Sequence, residues 1–407
     1  MGFDQLYLEG PELDVRRDAQ GRLLLAGVDT AGAGGDTGLA DWFLSQREVV
    51  VRGGHVRWTD EMRASETLDL HDVDIVIRNR ARRHELRVDA TPPQGWGARF
   101  SLIGQFRRPL LSGQPSQWDD WDGQVFGDFP RVDVSRLRRH LSLDMDIREG
   151  SGALRFWGDV VQGQMTGLWT DLALGRVTVQ LGKGLDPLAV ESVTGRLGGR
   201  MLAGGFEFEP RNLQFRTADG LVWPGGNVQL VYQAGEGKKP TLGEFRADEL
   251  DLSVLRQLAG RLPLGTQTHT ILARHPASGV LEKVEARWQG PWGALQRYAV
   301  RVTGRDLELR ARAMDLRATG NVATPGYPGF RGARVDLTVN EGGGQIRFDI
   351  ADGWLEFPGI FEEPRLGFDS LHAEASWKLQ GDAIQVNQAG RQIGEVQRFL
   401  AHPQAPV

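Results

Sequence analysis

The chain has 407 residues, a formal net charge of −5 from 53 acidic and 48 basic residues, 54 glycines and no cysteine. Disulfides and thiolate metal sites are therefore excluded, and because the two signs are well mixed along the chain, no electrostatic reason exists to expect nucleic acid as a partner. No apolar stretch reaches the roughly 18 to 20 residues needed to cross a bilayer as a helix; LLLAGV at 23 to 28 is a typical local maximum.

The first residues, FDQLYLEGPELDVRRDAQGRLLLAG, read as strand, turn, strand without a lead-in. They lack the basic and then apolar segments of a secretion signal; with no apolar stretch of bilayer length the chain reads as soluble taken alone, and because the strand pattern begins without a lead-in it reads as a piece of a longer protein. DTGLADWFLSQR (36 to 47) has helical spacing, with Leu39, Trp42 and Phe43 on one side and Asp36 as a cap. Period-two alternation then runs through 48 to 58, 68 to 79, 84 to 90, 98 to 106, 171 to 181, 211 to 217, 226 to 233, 298 to 312 and 371 to 379. Each run is short, rich in Val, Ile, Leu, Phe or Trp, and bounded by Gly, Pro, Asn or Asp, which predicts a mainly antiparallel β protein.

RVDLTVNEGGGQIRFDI (334 to 350) is the clearest of these patterns. Val335, Leu337 and Val339 share a face on its first arm, and Ile346, Phe348 and Ile350 share one on its second, opposite polar or charged neighbours. Burying these six at roughly 1.5 to 3 kcal/mol each offers on the order of 10 kcal/mol, so the hairpin is expected to find cover.

Two further helices, DVSRLRRHL (133 to 141) and DLSVLRQLAGRL (251 to 262), open with Asp caps and share D-x-S-x-L-R. Each of the three helices is followed by a Gly turn and a strand run carrying Trp (Trp58, Trp157, Trp288), and RQIGEVQRFLAH (391 to 402) reads as the opening of another such unit. The expected division is a first repeat at 1–132, a second at 133–250, a third at 251–390, and at 391–407 a truncated tail or the start of a further repeat.

Motifs for chemistry are few. GEGKKP (235 to 240) fails the phosphate-loop pattern where Tyr232 and Lys239 stand and reads as a solvated hairpin tip. The eight histidines show neither H-E-x-x-H nor an i, i+4 pair, and His71 with Asp72 reads as strand-face polarity rather than as metal ligands. In QWDDWDGQVFG (117 to 127), Asp119, Asp120 and Asp122 between Trp118 and Trp121 suit a sugar-handling or cation-binding loop. They equally suit a turn whose carboxylates cap amides while the tryptophans pack on the sheet.

Residues 41 to 93 resemble a segment of the YhdP proteins, within the AsmA-like family of bacterial envelope proteins. The resemblance is carried by Trp42, Leu44, Val56, Trp58, Asp60, Arg63, Leu68, Leu70, Val73, Asn79, Arg83, His84, Pro92 and Pro93. WDDWDGQVFG, RLPLGTQTHTILARHPASGVL and GWLEFPGIFEEPRLGFDSLHAEASW fit in order further on. It implies an elongated, curved antiparallel sheet of repeating β-groove units with a few short helices, its apolar concave face holding lipid tails. It also implies a periplasmic location, a full-length protein anchored in the inner membrane, and phospholipid moving between inner and outer membrane to support the outer-membrane barrier, with envelope partner proteins.

Expected lipid-contact residues are Ile75, Ile77, Leu86, Val88, Val177, Val179, Val300, Val302, Val335, Leu337, Val339, Ile346, Phe348 and Ile350. Alternation alone fits the dry core of a β-sandwich as well. No enzyme activity, cofactor or metal is expected. The competing assignment is a secreted all-β carbohydrate-binding or hydrolytic module using the Trp and Asp loop.

Overall fold

The computed structural model describes residues 4–20, 23–25, 28–29, 45–63, 65–109, 120–140, 145–237, 239–291, 294–313, 326–380 and 383–388. The protein is mainly β, with 66% of residues in strands and 8% in helices, so backbone hydrogen bonding is satisfied almost wholly between neighbouring strands. It forms two compact units, Met1–Leu202 with Phe206–Pro224, and Ala203–Gly205 with Gly225–Val407.

The first unit begins with β1 (Leu6–Glu9), β2 (Glu12–Arg17), β3 (Leu23–Leu25) and β4 (Val28–Asp29). Next come β5 (Glu48–Asp60), β6 (Leu68–Arg80), β7 (Arg83–Thr91), β8 (Phe100–Arg107), β9 (Asp122–Asp133), β10 (Asp146–Val161), β11 (Gln164–Gln180) and β12 (Leu188–Leu202). β13 (Gly205–Phe208), from Phe206 on, β14 (Arg211–Thr217) and β15 (Val222–Trp223) complete it. From β5 to β12 every strand pairs antiparallel with the next, and β14 and then β15 extend the ladder beyond β12.

The chain does not turn back between β1 and β2. β1 and β2 both run parallel to β5, in register from Leu6 with Val49 to Arg17 with Asp60. Gly10, at φ 60°, and Pro11 bulge opposite the Arg52–Gly54 bulge of β5, and the two are tied by Gly10 N to Arg52 O and His55 N to Pro11 O. Proline has no amide to donate, so it sits where the ladder is already interrupted. The strand, turn, strand expected in this stretch is the antiparallel pair β2 and β3.

The second unit holds β16 (Val228–Gln233), β17 (Leu242–Ala247), β18 (Leu250–Asp251), β19 (Ala277–Gln289) and β20 (Arg297–Leu309). β21 (Gly329–Asn340), β22 (Gly343–Glu356), β23 (Arg365–Gln380) and β24 (Ala383–Gln388) follow. β17 and β18 both pair with β19, and from β19 to β24 the order is again a simple antiparallel meander. The 334 to 350 hairpin forms in the expected register, with Val335 opposite Phe348 and Leu337 opposite Ile346. The 235 to 240 segment connects β16 to β17.

Both D-x-S-x-L-R motifs are helix starts. Asp133 caps α1 (Val134–Leu137), its Oδ1 accepting from Ser135 N at 3.0 Å, and Asp251 caps α2 (Leu252–Leu258), accepting from Ser253 N at 2.8 Å and Val254 N at 3.0 Å. Within the motif, Asp satisfies orphan amides, Ser carries one of them, and the apolar residue after the Asp, Val134 or Leu252, packs on the sheet. Val134 and Leu137 join a cluster with Phe129, Val132 and Ile147, while Leu252 packs against Leu307, Ala333, Ile350 and Phe368. A third helix, α3 (Thr266–Arg274), was not expected; it starts at Gly265 with no side-chain cap and is rich in β-branched Thr, so neither the usual start signal nor a strong helix propensity marks it. Of the expected helix at 36 to 47, residues 36 to 44 lie outside the described residues and Glu48 is already strand; the one at 391 to 402 lies wholly outside them.

Candidate functional site

Alternation along each strand, multiplied by the ladder registers, sorts every side chain onto one of two faces. In the second unit one row runs Val228, Ala247, Val284, Val302, Leu337, Ile346, Ala375 across seven strands, and the next runs Leu230, Phe245, Ala286, Val300, Val339 across five. In the first unit a row runs Val51, Ile75, Val88, Leu102, Gly127, Phe156, Thr170, Leu197 across eight strands. These rows cross the strands, so each unit carries an apolar strip perpendicular to its strands.

Glycines in the rows make room for aromatic rings. A Cβ on Gly127 would lie 2.2 Å from the ring of Phe156, and one on Gly243 would lie 1.9 Å from that of Trp288. The rings lie flat over backbone that has no side chain, which keeps the strip smooth and accounts for part of the high glycine content.

The opposite face is polar and knitted by ion pairs across neighbouring strands. Examples are Arg155 to Asp128 at 3.0 Å, Arg196 to Asp171 at 2.5 Å and Arg347 to Glu374 at 2.6 Å. The arginine partner holds the Asp171 carboxyl below its ordinary value, chiefly by hydrogen bonding. Trp157 belongs to this face, with Arg196 5.2 Å over its ring, whereas Trp288 is on the apolar face over Gly243. The tryptophans that follow the helices in sequence are thus not equivalent in place.

All fourteen expected residues lie on the apolar faces. Ile75 pairs with Val88 and Ile77 with Leu86; Val300 pairs with Val339 and Val302 with Leu337. Val177 and Val179 pair with Val190 and Leu188, beyond the irregularity at Arg176, whose φ is 51°. Val177, Val179 and Ile350 are buried, Ile350 at 2% exposure within the cluster that α2 covers. The other eleven are only half-buried. Packed sandwich interiors bury such side chains almost completely. The apolar faces are closed where α1 and α2 cover them and at Val49, Val51, Ala247 and Val284, and partly open elsewhere.

Residues of the same rows that went unmarked include Leu102, Phe156, Phe245 and Val284. Alternation was present in their strands, as in ALRFWGDVV, but aromatic Trp157 on the polar face and glycines on the apolar one blur it.

At the β6–β7 hairpin the apolar row of the first unit ends in polar groups. His84 pairs with Phe106 across the ladder, and Trp121 stacks on its ring with centroids 4.2 Å apart. Trp121 is buried, and Asp122 accepts from Gln162 N at 2.9 Å, so this part of the Trp and Asp loop packs and caps. Trp118 and Asp119 lie outside the described residues. His71 lies beside His55 and Asp69 on the polar face, its ring stacked on that of His55 with centroids 4.7 Å apart. The hydrogen bond with His55 is the main cause holding the Asp69 carboxyl below its ordinary value.

Burial pushes His84 below the ordinary imidazole value, with Arg108 adding to the shift, and burial does the same to His140 against the opposing pull of Asp60. A group whose folded pKa is depressed contributes stability that is complete above its unfolded pKa, about 6.5, and is lost as pH falls toward the folded value. Urea midpoints at constant ionic strength are therefore expected to fall between pH 7.5 and pH 5, and His84→Gln with His140→Gln should flatten that fall. Asp69, Asp89 and Asp171, with lowered values, act in a separate window below about pH 4. Flat midpoints from pH 7.5 to 5 in the parent chain would contradict the assignment.

No curated protein and no solved structure matches the chain. A family model described as YhdP protein matches residues 1–400. With an open, mainly β meander in each unit and a match that takes in nearly every residue, the chain belongs to the YhdP family.

Proposed function

We propose that this chain is a segment of a bridge-like lipid carrier that moves phospholipid through the periplasm between inner and outer membrane, supporting the outer-membrane barrier. Acyl chains lie along the apolar strips, perpendicular to the strands, and head groups stay toward solvent. Val335, Leu337, Val339, Ile346 and Phe348, with their companions on the neighbouring strands, are the contact residues.

One observation carries this reading: an apolar face continuous across the strands of the second unit, most of whose expected contact residues remain half-buried where a closed core would bury them, although Ala247 and Val284 of the same row are buried. Hydrating an acyl tail of about sixteen carbons costs on the order of 13 kcal/mol at about 0.8 kcal/mol per methylene, and a half-open apolar strip removes much of that barrier. Sliding along it requires no bond making, so no nucleophile, general base or cofactor enters the mechanism. Family membership and the absence, among the described residues, of a helix long and apolar enough to span a membrane agree with a segment that works between membranes.

The test is mass spectrometry of the chain purified without detergent from a Gram-negative host. Co-purified phospholipid at near-stoichiometric amounts is expected. Its absence, together with no uptake of added phospholipid, refutes the proposal.

A further inference from the structure

We infer that the β6–β7 end of the first unit carries a phosphate site that holds the head group of a lipid whose tails lie on the adjoining apolar row. The inference rests on the lipid-carrier reading and adds to it a site and a ligand chemistry.

A cavity of about 750 Å³ is lined there by Arg47, Arg78, Arg80 and Arg108, with Asn79 and His84, against the single acid Glu48. Glu48 is engaged with Arg78 at 2.8 Å, and Arg47 pairs with Asp4 at 3.1 Å. Among the described residues Arg80 and Arg108 make no ion pair, and the Nε of Arg108 is buried with no hydrogen-bond partner. The ladder sets like charges side by side just beyond: Arg80 faces Arg83, and Arg83 faces Arg107. Directly opposed like charges are destabilising in a sheet, and the acid of this row, Asp122, faces Arg107 at its far end and leaves Arg80 and Arg83 opposed. Arginine is also the side chain best shaped to grip phosphate, through two parallel charge-assisted hydrogen bonds.

His84 adds an independent sign of a ligand. It is 5% exposed, and its Nε2 is buried without a partner. Asn79 Nδ2 donates to Gln46 O at 2.8 Å, which turns Asn79 Oδ1 toward His84 Nδ1 at 2.7 Å. Nδ1 is therefore the donor, and the lone pair of Nε2 is left to accept from a hydroxyl of the head group, since a phosphodiester has no proton to give while the arginines take its anionic oxygens. A buried acceptor without a donor is costly unless something fills the place. His84 also stands at the end of the apolar face, paired with Phe106 and under Trp121. A phosphodiester in the cavity would therefore have apolar surface beside it for its tails.

The test offers the full chain dioleoylphosphatidylglycerol and dioleoylglycerol separately, from neutral detergent micelles, and reads the bound fraction by native mass spectrometry. The two lipids share their tails and differ in the phosphate head. The wild type should take the phospholipid at least about tenfold better. Arg80→Gln, an exposed change, and the double variant with Arg108→Gln should reduce that preference several-fold and to near parity, with dioleoylglycerol uptake unchanged as the proof of folding. Equal uptake of both lipids by the wild type overturns the phosphate site and leaves the apolar strip standing; uptake of neither overturns both. Inorganic phosphate, titrated calorimetrically, separates the sources. Tight binding lost in the double variant without any lipid preference makes this a free-phosphate site and overturns the head-group assignment.

Discussion

Replacing Val302 and Leu337 together by aspartate is expected to abolish phospholipid loading while the chain stays folded. The two residues face each other across β20 and β21, in the middle of the row that runs from Val228 to Ala375. Both are half-buried, so in the lipid-free chain the new carboxylates reach water, and the loss of stability should be about 1 to 2 kcal/mol each. Against an acyl chain the same carboxylates would be stripped of water with no partner, at a cost of several kcal/mol, which is enough to empty the site. Arg301→Asp, one residue away on the polar face, is the control and should load as the parent does. Loading is read by mass spectrometry, and folding by the far-ultraviolet circular dichroism of the sheet. Undiminished lipid in the double variant, with its sheet intact, would mean the apolar face is not where tails lie.

Asp60→Ala should destabilise the first unit by about 3 kcal/mol. Asp60 ends β5 with 1% exposure, and four donors converge on it. Arg17 Nε reaches Oδ1 at 2.9 Å while Arg17 Nη2 bonds Oδ2; the backbone N of Arg63 and its Nη1 are 3.2 and 3.0 Å away. Breaking a buried ion pair by removing one partner typically costs about 3 to 5 kcal/mol, and the lower end applies because both arginines keep some contact with water. This carboxylate joins the parallel strand β2 to β5 and fixes the turn that follows, so the loss should come with loosening of residues 12 to 17. Asp60→Asn keeps acceptor capacity and should cost about half as much. Urea unfolding monitored by tryptophan fluorescence measures both; an Asp60→Ala midpoint equal to the parent's would show that the cluster is ornamental to stability.

The mainly β content, the strands with unbroken alternation and the two D-x-S-x-L-R helix starts were legible because each depends on local rules, whereas β9 and β12, whose alternation is broken by Pro130 and by Gly195, Gly198 and Gly199, were not. Period two reports a half-buried strand wherever it occurs, and a side chain such as Asp133 or Asp251 caps the helix that begins at its own position. The parallel run of β1 and β2 was not legible, since nothing in LEGPEL distinguishes a turn from a bulge matched to a second bulge forty residues on. Nor was α3, whose glycine start and threonine-rich first turn carry no cap signal.

The candidate site divides in the same way. Membership of the apolar face could be read strand by strand, and all fourteen expected residues lie there. The extent to which that face stays open could not be read, because alternation is identical for a strip that meets a second sheet and for one that does not. The cationic end of the β6–β7 hairpin was equally hidden: Arg47, Arg78, Arg80 and Arg108 are scattered through 62 positions of a well-mixed charge pattern and meet only when four strands and their connections are in register. What the amino-acid order settles by itself is each residue's face, since that is fixed by a two-residue period. Which faces remain half-open, and which charges become neighbours, depends on pairings between distant strands, and those exist only in the folded chain.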